Sequence, residues 1–96
     1  MDEAVKHEIV ALGRRAHALT ESAYRQHAST RGEPAWADKQ RILLADMALH
    51  LLQTALGDGE LSSEALKRNL HAILTVSDQF VPDCGLKAGA GQLQVK

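Results

Sequence analysis

The sequence predicts an all-α fold: an antiparallel three-helix bundle, made of a long helical hairpin plus a third helix, with an irregular C-terminal tail. Three observations predict it. Apolar residues recur at helical spacing in three long segments, and breaks rich in Gly and Ser separate them. Only Tyr24, Trp36 and Phe80 are aromatic among 96 residues, so the core must be built from Leu, Ala, Ile and Val. Residues favoured in strands are correspondingly scarce. The helical domain is assigned to residues 1–80 and the tail to 81–96.

The first helix is predicted from Asp2 to Ala28. Val5, Ile9, Leu12, Ala16, Leu19 and Ala23 follow the 4-3-4-3-4 spacing of a bundle or coiled-coil seam. Ala16 and Ala23 make that seam thin toward its C-terminal end. Asp2 and Glu3 suit the positive end of the helix dipole. Gly13 lies off the stripe and weakens the helix by about 1 kcal/mol relative to Ala.

Ser29-Thr-Arg-Gly-Glu33 reads as the first turn, and the second helix is predicted from Pro34 to Leu56. Its apolar residues exceed one face. Leu43, Leu44, Met47, Ala48, Leu51, Leu52 and Ala55 fill a broad arc, extended by Ile42, Leu49 and Leu56. Lys39, Asp46, His50 and Gln53 form a narrow polar strip, read as the solvated edge of an otherwise buried helix. Gly57 is expected to close the helix in a left-handed conformation.

Ser62 or Ser63 is expected to cap the third helix, with Glu64 in its first turn. Leu66, Leu70, Ile73, Leu74, Val76 and Phe80 make its apolar face; Lys67, Arg68, His71, Thr75 and Asp78 make its wet face. Pro82 ends it at or before Val81. The tail shows no helical period. Leu93 and Val95 alternate with Gln92, Gln94 and Lys96 in a short strand-like pattern.

Composition narrows the function classes. A net charge of −1 and a pI near 6.5 provide no strong field for nucleic acid or anionic lipid. The lone Cys84 has no partner for a disulfide, which fits a cytoplasmic location. The polar, acidic N-terminus is unlike a signal peptide, and no apolar run is long enough to span a bilayer.

No motif specifies a reaction, no cofactor fingerprint is present, and no catalytic residue is assigned. Asp46 and His50 are the best local pair, one turn apart on the polar strip. A carboxylate beside an imidazole can orient a base or supply two metal ligands. A metal site there needs further ligands from another helix, for which His17, His27 and Asp78 are the candidates. His7, His17 and His27 recur every ten residues, which turns them to different sides of one helix. His27, near a helix end, offers a pH-sensitive contact through the dipole.

The second helix then carries the functional expectation. Its excess apolar surface calls for burial against another protein, since three exposed leucines would forgo about 1.5–3 kcal/mol each. The sequence therefore reads as a small non-enzymatic interaction module (an adaptor, regulator or inhibitor) that forms a homodimer or a hetero-complex. Leu49, Leu52 and Leu56 are the expected interface, with Trp36 as aromatic anchor. The second helix, turn and third helix also allow a helix-turn-helix reading, as a dimeric DNA-binding regulator presenting Glu64, Lys67, Arg68, Asn69 and His71. The length of the second helix and the lack of basic charge weigh against it.

Overall fold

The computed structural model describes residues 1–93. Three helices account for most of the chain: α1 (Glu3–Gln26), α2 (Trp36–Leu56) and α3 (Ser63–Ser77). A 3-10 turn at Pro82–Cys84 and a short α4 (Leu86–Gly91) follow. α1 packs on α2, α2 on α3, and α3 on α4. α2 is therefore the central helix of an all-α hairpin-plus-third-helix fold.

The helix starts follow from side-chain capping. The Asp2 carboxylate accepts from the N–H of Ala4 at 2.7 Å and of Val5 at 3.4 Å. The Ser62 hydroxyl accepts from the N–H of Ala65 at 3.1 Å. α2 has no side-chain cap and begins at Trp36, two residues later than its sequence suggests. Pro34 belongs to the preceding turn, where the Trp36 N–H donates to the Glu33 carbonyl at 3.0 Å. Gly57 ends α2 in an extended conformation, φ −65°, rather than the expected left-handed one. The left-handed turn falls two residues later, at Gly59 with φ +80°.

The tail is more ordered than its lack of periodicity implies. Gly85 takes φ +67° and turns the chain into α4. Ala90 is then buried to 2% exposure, and α4 rests on α3. One small anchor suffices, so no repeating apolar pattern is needed. Leu93 closes with a turn, its N–H donating to the Ala90 carbonyl at 3.0 Å. Val95 and the rest of the strand-like alternation lie outside the described residues.

Little of this chain is deeply buried. Among the described residues, Val76 and Ala90 are the buried apolar side chains. The leucines of α2 are half-buried. The envelope is 44 × 31 × 21 Å. Its radius of gyration is 14.9 Å, against about 12.5 Å for a compact domain of this length.

Candidate functional site

The polar strip of α2 is turned toward α1, with His50 still partly open to solvent. It forms the middle of the α1–α2 seam. Asp46 is only 7% exposed, and His50 sits one turn further along α2. Opposite them, α1 presents His17, Thr20 and Tyr24, a 3-4 spacing that keeps all three on one helix face.

The contacts converge. His17 Nε2 and His50 Nε2 lie 2.9 Å apart, with the rings edge to face at 90°. His17 Nε2 is 3.4 Å from Asp46 Oδ1, and His50 Nε2 is 3.3 Å from Asp46 Oδ2. The Thr20 hydroxyl donates to Asp46 Oδ1 at 2.6 Å. On the far side of the His17 ring, Nδ1 lies 3.7 Å from Glu21 Oε2. Arg25 holds that carboxylate from its other oxygen at 2.6 Å. The arrangement can relay a proton between imidazoles, or offer two nitrogens and a carboxylate to one cation.

Either side of this cluster the seam changes character. Toward the turn, the Lys39 ammonium lies 4.8 Å from the centre of the Tyr24 ring. In the other direction Gly13 is buried against Leu52. A Cβ on Gly13 would stand 2.8 Å from Leu52 Cδ2, so glycine is what lets the two helices approach there.

Because α1 turns its polar face to α2, its apolar stripe is left outside. Val5, Leu12 and Leu19 are exposed, Leu19 to 72%. Ala23 is exposed too, while Ile9 and Ala16 sit at the edge of the packed face. The stripe is rotated by roughly 100° from the side of α1 that meets α2. Beside it runs a groove of 580 Å³, lined by Leu19, Thr20 and Ala23 of α1 and by Asp38, Arg41, Ile42 and Ala45 of α2.

The residues expected to bind a partner are not gathered into one patch. Trp36 opens α2 and lines a polar notch with Arg31, Thr75, Asp78, Gln79 and Lys87. Leu49, Leu52 and Leu56 lie toward the other end of a helix about 30 Å long. All three are half-buried, and Leu52 is engaged by Gly13 within the hairpin. Val5, Leu12 and Leu19 of the α1 stripe, which the sequence presents as a bundle or coiled-coil seam, are instead exposed, as are Met1, Leu61, Phe80 and Val81. Of the candidate metal ligands, His17 joins Asp46 and His50. His27 caps the C-terminus of α1, its ring Nδ1 accepting from the Ser29 N–H at 3.4 Å. Asp78 caps α3.

No helix among the described residues is long and apolar enough to cross a membrane. No protein-family model, curated protein or solved structure matches this chain.

Proposed function

We propose that this protein is a non-enzymatic helical interaction module that works as a homodimer. The observation that carries the reading is the exposed stripe of Val5, Leu12 and Leu19 on a chain whose buried apolar side chains, among the described residues, are Val76 and Ala90. A 96-residue chain gains its stability chiefly by burying apolar surface, and this one leaves the best-patterned part of that surface in water.

The proposed occupant of the stripe is a second copy of the chain. A 4-3-4-3-4 seam is the pattern by which helices pair with their own kind. Leucines alternating with Ala16 and Ala23 suit a two-fold contact, in which large residues of one copy meet small residues of the other. Two α1–α2 hairpins brought together this way make a four-helix arrangement, with Ile42 and Ala45 along its flank. Leu49 and Leu56 extend the apolar surface of α2, and Trp36 lies apart from it. An adaptor or regulatory role follows from a dimer that keeps its outer faces free. The lone exposed Cys84 accords with a cytoplasmic setting. DNA binding is the weaker reading, because nothing in the charge distribution favours it.

Thermal unfolding over a concentration series tests the proposal. For a dimer the midpoint rises with protein concentration. Leu19→Glu places a charge on the stripe at its most exposed large apolar residue, a position too exposed to matter to the isolated hairpin. It should abolish the concentration dependence while leaving the helical content of the native state. A midpoint independent of concentration in the parent chain would overturn the reading.

A further inference from the structure

We infer that His17, Asp46 and His50 form a binding site for a first-row divalent transition cation of the zinc class, which ties α1 to α2. The inference rests on the geometry of the seam and is independent of how the chain assembles.

The donor atoms already stand at the spacing such an ion imposes. Zinc binds imidazole nitrogen and carboxylate oxygen at roughly 2.0–2.2 Å, so adjacent donors of a tetrahedral site lie about 3.3 Å apart. His17 Nε2 stands 3.4 Å from Oδ1 of Asp46 and His50 Nε2 stands 3.3 Å from Oδ2, so the two nitrogens face different oxygens of one carboxylate, and one donor atom from each of the three residues lies within 4.8 Å of the others. The two nitrogens, at 2.9 Å, need to part by only a few tenths of an ångström. Three protein ligands leave a fourth position, which falls to water beside the 43%-exposed His50 side chain.

Charge and proton accounting point the same way. Asp46 is a nearly buried carboxylate whose ion-pair partners among the described residues are the two imidazoles, with no lysine or arginine. Burying an anion without a compensating cation is costly. Without an ion, the close contact between the two Nε2 atoms needs a proton on one of them. That proton points at one acceptor and leaves the other lone pairs facing each other. A cation at the centre satisfies all three donors at once.

The surroundings are those of a metal site as well. The Thr20 hydroxyl donates to Asp46 Oδ1 at 2.6 Å and so orients the carboxylate. Glu21 lies against Nδ1 of His17, the ring nitrogen that faces away from the site. At 3.7 Å that carboxylate favours the tautomer with its proton on Nδ1 through charge rather than a hydrogen bond, which leaves the Nε2 lone pair for the ion, and Arg25 holds the carboxylate at 2.6 Å.

Zinc chloride titrated calorimetrically into chelator-treated full-length protein tests the inference, with cobalt(II) absorption reporting the coordination. One ion per chain is expected, with d–d bands of the intensity given by four or five ligands, and a melting temperature that rises with zinc and returns on adding EDTA. His50→Gln should weaken binding by about 100-fold or more, beyond the 10–100-fold of an outer-shell change. Thr20→Val should weaken it by about 10-fold. His7→Gln, at a surface pair with Glu3, should change nothing. If His50→Gln loses its helical signal, His17→Gln serves in its place. No saturable uptake by the parent chain would overturn the site. So would uptake that survives both ligand substitutions in folded protein, or that disappears with His7.

Discussion

Asp46 is the residue on which the hairpin turns. A carboxylate at 7% exposure is tolerated because Thr20 and two imidazoles meet it from both helices. The pairing of Asp46 with His50 was legible, because residues four apart on a helix share a face. The third member was legible only as one of three possibilities, since spacing within α1 cannot say which side of α1 meets α2. Glu33 shows the same local logic at the first turn. Its carboxylate accepts from the Thr30 hydroxyl at 2.6 Å and from the Thr30 N–H at 3.1 Å. These bonds, the hydroxyl first, lower the Glu33 pKa below its ordinary value. A carboxyl lowered in the folded state stabilises the fold above its unfolded pKa, and that contribution is lost as pH falls through the lowered value. Thr30→Ala should therefore destabilise the protein at neutral pH, and the difference from the parent should vanish in acid, as read by urea unfolding at several pH values. A constant difference across pH would contradict the assignment.

At the scale of elements, the helices themselves were legible and their facing was not. Ser62 caps α3 and α2 ends at Leu56 as expected, while Asp2, read as the first helical residue, is the cap of α1. The stripe of α1 and the polar strip of α2 were both correctly grouped, but the strip, read as a solvated edge, lies in the α1–α2 seam, and the stripe, read as a bundle or coiled-coil seam, does not pack on α2. The reason is physical. Hydrophobic periodicity says which residues share a face, but it does not say what that face meets when the chain has more apolar surface than one copy can cover. A buried polar pairing then competes for the seam, and here it occupies the centre. Gly13 shows the consequence for packing. Its place off the stripe marked it only as a weak point of the helix, whereas it sits at the close approach to Leu52. Gly13→Leu should overpack the seam and cost about 1–3 kcal/mol in urea unfolding. Gly13→Ala should be milder, because Leu52 Cδ2 is the movable end of its side chain and alanine is the better helix former. Equal stability of Gly13→Leu and the parent would mean the helices are further apart than described.

For the whole molecule, the open envelope and the shortage of buried apolar side chains describe a chain that does not complete its own core. The tail illustrates how this escaped the sequence. α4 contributes Ala90, a single small residue in a Gly-rich segment with no helical period, and it is among the most buried positions. Val5, Leu12 and Leu19 of α1, which dominate such patterns, lie outside. The proposed assembly with a second copy would reconcile the two facts, covering Leu12 and Leu19 without disturbing the polar seam between α1 and α2. The most direct measurement is the solution mass by light scattering after size exclusion, over a dilution series. A dimer gives twice the 10.4 kDa of the chain at high concentration, falling toward one copy on dilution and in Leu19→Glu at any concentration. A parent chain that is monomeric and fully helical throughout would contradict it.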